Sequence, residues 1–571
     1  MKNFSVVLID PPFFSFLDES QNGLPLGLAY LAGSLQAHGY SNVHILNADI
    51  VPGKFLPPSG KDRHNEVQKF HLFESRVKDA EDLCYKYVIE TLNEHSPDVI
   101  GISIRTAKFF ISKILVERIR NEFPQAVIVA GGPHASSCPE DVLRIVKPDI
   151  VVRGEGEVTF VELVKCIEEG RDYSALKGIS YLSDGKLITN PMRPYVENID
   201  DIPFPARNVV LNADLMSPND FGLLFTSRGC PYGCSFCDSR GTWTRKVRRM
   251  SHDRLVEEIW AIKREFGTNF FSFQDDCLVT KQSVAIDMCN KFKEAGLASL
   301  PREEFRWWCE IHPNVITQEL VRNLKEAGCV AIAIGAESGS QRSLKQVAKG
   351  SSLESIRRAA EIIRSEGLSL TMFFIIGFPW ETEEDILETL DFMEECEPDN
   401  PALSVLTPLP GTPIFDYCLK SGLLNPEDNE YRSHFHQRAD SFYNLNIPQS
   451  RAAELIEEGF RRCSAVLKKR KSQRLITFFR DRLEDTLLND LDYRLLVSDQ
   501  NIAEKPMASV DGSAPRHLLI DSDWETQSLK LEIRVGETST KMDEKVEGYL
   551  KKAFTTEFPE YENIDICVRT G

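Results

Sequence analysis

The 571-residue sequence contains no apolar run of 18 residues or more, so it predicts no membrane-spanning helix. It is also short of cations: 67 Lys and Arg stand against 86 Asp and Glu, a formal net charge of −19. That balance disfavours a long polyanion such as tRNA or DNA as primary partner. The local basic stretch Arg245–Arg249 remains able to grip one phosphate group. No solenoid-type repeat appears. No secretory leader precedes the first strand-like run, and the 14 cysteines are mostly scattered, so a reducing cytoplasm is the expected compartment. Hydrophobic content of 42% and charged content of 27% are ordinary for a globular chain. The length predicts two to four domains.

The exception to the scatter is Arg228-Gly-Cys230-Pro-Tyr-Gly-Cys234-Ser-Phe-Cys237, three cysteines at C-x3-C-x2-C spacing after the apolar run Gly222–Thr226. Thiolates suit soft iron, and one compact loop can place three of them around one cluster. Three ligands leave the fourth iron of a [4Fe–4S] cube open. Gly229 and Gly233 let the backbone wrap closely, and Pro231 stiffens the turn. A structural zinc site is the rival, but it wants four protein ligands, usually as two separated pairs.

This loop resembles the signature of radical S-adenosylmethionine (SAM) enzymes. The resemblance implies that Cys230, Cys234 and Cys237 hold a [4Fe–4S] cluster whose open iron binds the amino and carboxylate groups of SAM. It implies that the reduced cluster cleaves SAM to a 5′-deoxyadenosyl radical, with Phe236 against the adenine. An electron donor such as flavodoxin or ferredoxin is then a partner.

Upstream, apolar runs at Phe4–Ile9, Val43–Leu46, Val99–Ser103, Val127–Ala130 and Ile150–Val152 alternate with helical patterns such as Leu26–His38 and Ser112–Phe123. Strands alternating with helices predict a doubly wound, Rossmann-like sheet, with a ligand beyond the carboxyl ends of the strands. Lys54–Ser75 reads as an inserted polar loop. Small residues gather at the strand ends: Ser103, Gly131-Gly132 and Gly154-Glu155-Gly156. With the segment Pro25-Leu-Gly-Leu-Ala-Tyr-Leu31, the region resembles the cobalamin-binding domain that precedes many radical SAM cores. That resemblance makes Leu26, Gly27, Ser103, Gly131, Gly132, Gly154 and Glu155 cobalamin contacts. The family's Asp-x-His-x-x-Gly loop, which ligates cobalt from below, is here Asp10-Pro-Pro-Phe-Phe14, without histidine. Cobalt is therefore expected to lack an imidazole from this loop, and His134 is expected as a loop residue near the corrin.

After a hairpin at Gly178–Ile188 and the linker Ile202–Ala206, a second βα series has strand-like runs at 222–227, 269–274, 305–310, 330–335, 369–376 and 402–406. Amphipathic helices lie between them, around 252–265, 281–295, 317–327, 352–366 and 382–395. Six βα units predict a partial (β/α)6 barrel with its chemistry at the strand ends. There the resemblance implies SAM contacts from Asp275 in Phe273–Asp276, from Glu337 and Ser338, and from Gly377. Leu409–Pro413 resembles the segment that closes this core in cobalamin-type members. Glu310 and His312 are less typical and suggest substrate contacts; Trp243, Trp307 and Trp308 suggest a cavity wall.

The fold class is thus α/β. Residues 1–200 form the cobalamin domain, 201–420 the radical SAM barrel, 421–497 a helical region and 498–571 a linker with a small α+β appendage, the region beyond 420 being the expected lid. The resemblance implies an enzyme using cluster, SAM and cobalamin to methylate an unreactive carbon or phosphorus centre of a small molecule. Cyclisation or rearrangement without methyl transfer is a second reading, and a non-catalytic cofactor-binding sensor a third. A methylthiotransferase would need a second three-cysteine set, and Cys84, Cys138 and Cys166 are unclustered.

Overall fold

The computed structural model describes residues 4–19, 23–52, 73–79, 81–425 and 442–486, and the backbone of four later strands. Most of the polar stretch at 54–75 and the linker at 498–516 lie outside the described residues. The chain divides into two compact units, residues 1–467 and 468–571. The first unit holds both βα layers.

The first sheet contains β1 Val6–Asp10, β2 Val43–Asn47, β3 Val99–Ser103, β4 Val127–Gly131, β5 Ile150–Val152, β6 Ile179–Ser183 and β7 Lys186–Thr189. Their order is β2-β1-β3-β4-β5-β6-β7. The first five are parallel, and the hairpin β6–β7 joins as an antiparallel edge. Val6, Val7, Leu8 and Ile9 are all fully buried, as expected of a strand covered on both faces by helices.

The second sheet has the order β15-β14-β13-β12-β11-β8 and is parallel throughout. Its strands are β8 Leu223–Leu224, β11 Phe270–Phe273, β12 Arg306–Glu310, β13 Cys329–Glu337, β14 Ser369–Ile376 and β15 Asn400–Val405. The strand expected at 222–227 is broken. After Leu224 the chain turns, and β9 Ser227–Arg228 pairs antiparallel with β10 Arg248–Arg249.

Side chains alternate across this sheet. Phe271, Phe273, Trp307, Cys309, Leu370, Met372, Phe374 and Ile376 are buried beneath the helices. Ser272, Trp308, Glu310, Thr371 and Phe373 are partly exposed on the concave face. Trp307 is therefore core, not cavity wall: its indole N–H donates to the Ala327 carbonyl at 2.8 Å and its ring stacks on Phe273. Trp308, one residue on, takes the inner face.

The helix Gln449–Thr486 begins against β14 and β15. A Cβ at Gly459 would meet Leu403 at 2.7 Å, and the Cys463 thiol donates to the Pro401 carbonyl. Residues 449–463 thus brace an outer strand and do not act as the expected lid. The second unit carries a four-stranded sheet, β16 Arg494–Val497, β17 His517–Asp523, β18 Ser528–Val535 and β19 Asn563–Thr570, in chain order.

The helix Leu26–Ala37 is clamped by the linker that joins the two sheets. Ala206 N–H donates to the Ala29 carbonyl at 2.9 Å, and a Cβ on Gly33 would lie 2.0 Å from the Phe204 carbonyl oxygen. Backbone cannot yield there as a flexible side chain would. Gly33→Ala is expected to cost about 1–3 kcal/mol, read as a lower denaturation midpoint with an unchanged slope.

Candidate functional site

The cysteine loop leaves β9 through Gly229, whose φ of +98° and close backbone neighbours require glycine. A Cβ there would lie 2.6 Å from the Lys246 carbonyl oxygen and 2.7 Å from that of Thr244. The loop is stitched at its far side: Ser235 N–H donates to Val347 O at 2.9 Å, and Ile414 N–H to Ser235 O at 3.0 Å. Phe236 packs on Phe378 and on an apolar group containing Val347, Leu406 and Ile414. Tyr232 stacks on His312 with ring centroids 3.8 Å apart.

Burial pushes the Cys234 and Cys237 thiols up, to about 11 and about 12. Cys230 is lowered, chiefly by a hydrogen bond with the Cys277 thiol. That fourth cysteine, 47 positions from Cys230 in the chain, is invisible to spacing arguments. Among the described residues no three His, Cys, Asp or Glu side chains converge on one point, as a single metal ion would require. A cube takes one thiolate per iron, at separate corners.

The acidic pair after β11 divides its labour. Asp275 is 3% exposed and takes hydrogen bonds from Thr226 N–H, the Thr226 hydroxyl at 2.8 Å and the Ser227 hydroxyl at 2.5 Å. It therefore fixes the entry to the cysteine loop, which explains why the strand at 222–227 breaks. Asp276 is exposed, with Ser239 donating to it at 2.6 Å. Burial of its surroundings raises the Asp276 carboxyl, against the Ser239 hydroxyl.

Glu337 ends β13 with φ +64°, a conformation rare outside glycine. Buried Lys349 holds it there, donating to Glu337 Oε1 at 2.6 Å and to the Gly335 carbonyl at 2.8 Å. A Cβ on Gly335 would fall 2.1 Å from both the Lys349 Nζ and the Glu337 Oε1, so only glycine admits this pair. Burial pushes Glu310 up to about 7, with the Lys349 charge opposing it. Glu310 has no hydrogen-bonding or ion-pair partner among the described residues.

Ser338 and Gly377 are turned to the scaffold. The Ser338 hydroxyl bonds with the Thr389 hydroxyl at 3.0 Å and accepts from Ser340 N–H. Gly377, at φ +89°, donates its N–H to Glu381 Oε2 at 2.8 Å, and the Phe442 ring covers the place of its missing Cβ.

On the first sheet, Gly132 (φ +98°) lies against the β3 end: a Cβ there would meet Ile104 O at 2.9 Å and Ser103 Oγ at 3.3 Å. Gly154 (φ +74°) donates to the Ser136 hydroxyl at 3.0 Å. Leu26 is buried, whereas Gly27 is exposed with open space where a Cβ would be. The Asp10–Phe14 loop carries a buried ion triad, with Lys108 2.9 Å from Asp10 and 3.3 Å from Asp49. His134 is 2% exposed, bonded through Nδ1 to the Thr106 hydroxyl at 3.0 Å and packed on Phe109. It is buried in the short helix Pro133–Ser137, where a loop residue was expected.

The strand ends of the two sheets face one another. The short helix Pro133–Ser137, directly after Gly131-Gly132, packs on the short helix Ser239–Thr242, directly after Cys237. A Cβ on Gly241 would lie 3.0 Å from the Ser137 hydroxyl. Beside this contact, Glu155 is not open to a ligand as expected: it accepts from Arg228 at 2.7 Å and from Arg248 at 2.8 Å. Arg228 also donates to Glu157 at 2.5 Å, and its guanidinium lies 5.1 Å from the ring centres of both Tyr30 and Trp243. Trp243 is thus a stacking partner for Arg228. Arg249 donates to Leu278 O and the Thr280 hydroxyl, so the basic stretch 245–249 is largely used internally.

A model of the radical SAM superfamily matches residues 224–393, and one of the B12 binding domain matches residues 20–164. The chain is 30% identical over 428 residues to an uncharacterized methyltransferase of Pyrococcus horikoshii, covering 74% of this chain and 85% of that one. It is 28% identical over 484 residues to cytidylyl-2-hydroxyethylphosphonate methyltransferase of Streptomyces wedmorensis, covering 78% and 86%. Among solved structures, the radical SAM methyltransferase TsrM of Kitasatospora setae, with cobalamin and a [4Fe–4S] cluster bound, shares the fold. Its TM-score is 0.60 at 17% identity, covering 80% of this chain and 91% of that one.

Glu381 supplies a pH test of the region. It is fully buried, and burial pushes it up to about 7 despite hydrogen bonds from Gly377 N–H, Phe378 N–H and the Ser343 hydroxyl. The native state keeps this proton between the unfolded value near 4.5 and about 7, so stability falls as pH rises through that window. Glu381→Gln is expected to remove a component of roughly 3 kcal/mol from the pH 5–7 slope, measured by chemical denaturation.

Proposed function

The chain belongs to the cobalamin-binding radical SAM enzymes, and from that premise we propose that it methylates an unactivated carbon or phosphorus centre of a small molecule. The supporting observation is the packing of the Gly131-Gly132 helix on the post-cysteine helix, which draws the two cofactor loops together. When bound, the family's cofactors supply a deoxyadenosyl radical, cut from SAM at the [4Fe–4S] cluster, and a methyl group carried on cobalamin.

The residues fit those groups. The three thiols share one glycine-bearing loop, and Gly27 leaves open space at the cobalamin-domain surface. Among the charged groups acting on Glu310, the carboxyls of Asp276 and Glu337 are opposed by Lys349. An unpaired buried carboxyl is costly, so this imbalance favours a ligand that brings positive charge, as the SAM sulfonium and ammonium do. Asp276 takes the SAM-contact role expected of Asp275, because the Asp275 oxygens are already engaged. Lys349 holds the Glu337 carboxyl in place. Phe236 with Phe378 walls the site against water, and Ser272, Trp308, Thr371 and Phe373 present a mixed surface to substrate. The Streptomyces relative is named for a small-molecule substrate, which supports a substrate of that kind; the electron donor is a flavodoxin or ferredoxin type of protein.

Anaerobic incubation of the reconstituted protein with deuterated-methyl SAM and a metabolite pool tests this. A product heavier by one labelled methyl group is expected, and none when Cys230, Cys234 and Cys237 are all Ala. An unlabelled product with a rearranged skeleton would replace transfer by cyclisation. Ligation of cobalt by this chain has its own test. With no histidine at Asp10–Phe14 and His134 in the core, the paramagnetic cobalt(II) form is expected to show no superhyperfine splitting from a protein nitrogen. A splitting lost in His134→Ala would overturn that assignment.

A further inference from the structure

Between the two cofactor loops lies a buried ion cluster. Glu155 sits between Gly154 and Gly156, in the loop at the end of β5. Its carboxylate accepts from Arg228, from both Arg248 terminal nitrogens at 2.8 and 3.0 Å, and from Val196 N–H at 3.0 Å. Arg228 stands two residues before Cys230, and its second nitrogen reaches Glu157. All four charged side chains are at most 8% exposed. Tyr30, on the helix that begins at Leu26-Gly27, and Trp243, just beyond Cys237, flank the guanidinium.

We propose that Glu155 and Arg228 are positioning residues that couple the two cofactor loops, so that occupancy of one raises affinity at the other. Adjacent Cα atoms are about 3.8 Å apart, so a shift of the Glu155 backbone on cobalamin binding is carried through one bonded pair to the residues entering the cluster loop. The terminal nitrogens of both arginines are engaged in buried contacts, and such an arrangement has discrete settings and does not deform smoothly. By linkage the coupling must be equal in both directions. The inference rests on the presence of both cofactors and not on methyl transfer, so it stands or falls apart from the labelling experiment.

The test compares hydroxocobalamin affinity of the full-length protein before and after anaerobic cluster reconstitution, by equilibrium dialysis. The wild type is expected to bind at least about fivefold tighter with the cluster in place. Glu155→Gln is expected to bring that ratio to within about twofold of unity while iron loading persists. Trp243→Leu, which leaves every charge paired, is expected to give an intermediate ratio and carries the test if Glu155→Gln does not fold. A merely structural role would weaken both affinities and leave their ratio unchanged. A wild-type ratio of one, or a wild-type ratio retained in Trp243→Leu or in folded Glu155→Gln, overturns the proposal.

Discussion

The rest of the first unit depends on one buried arrangement, the Arg228 guanidinium held between Glu155 and Glu157 and between the rings of Tyr30 and Trp243. Burial alone would lower Arg228 and raise Glu155. Their mutual charge and hydrogen bonds, with those of Arg248, reverse both tendencies. Two arginines meet two glutamates, so the cluster is neutral as a whole. Removing one partner would strand a buried charge, at about 3–5 kcal/mol. That asymmetry makes the joint a poor glue and a good register: it adds little net stability but strongly disfavours other placements of the loops it joins.

The register matters because each sheet alone offers only half a site. A parallel sheet puts its ligand beyond the carboxyl ends of its strands, and here two such ends are opposed. The helix behind Gly131-Gly132 and the helix behind Cys237 are both very short, five and four residues. They bring the loops together with little bulk between them. Gly241 and Gly411 both lie against Ser137, where a larger residue would push the sheets apart.

Much of this was legible in the sequence, and the physical reason is periodicity. Both strand series and the helices between them were readable from apolar spacing, because a buried parallel strand and an amphipathic helix leave unlike patterns. The cysteine loop was readable because its ligands are local. What escaped were partnerships across long separations: Lys349 with Glu337, Cys277 with Cys230, Arg228 with Glu155. Charge and thiol pairs of this kind leave no periodic trace. Trp307 and Trp308 illustrate the limit on a smaller scale. Adjacent identical residues on a strand face opposite ways, and residue type alone does not say which one meets the cavity.

The same limit explains why the acidic residues at the strand ends changed roles. A strand end supplies polar groups either to a ligand or to the turn that follows, and the choice depends on which backbone amides lie within reach. Asp275 lies beside Thr226 and Ser227, where the chain turns toward the cysteines, so its oxygens are fully used there. Ser338 lies beside Thr389 and is used in the same way. Among the described residues Asp276 and Glu310, by contrast, have few partners or none, and Glu337 is met by the lysine that Gly335 admits. The scaffold thus satisfies Asp275 and pairs Glu337 with Lys349, while Glu310 is left for a ligand. A cavity whose acids are left over in this way selects for a cationic guest before any specific contact is made.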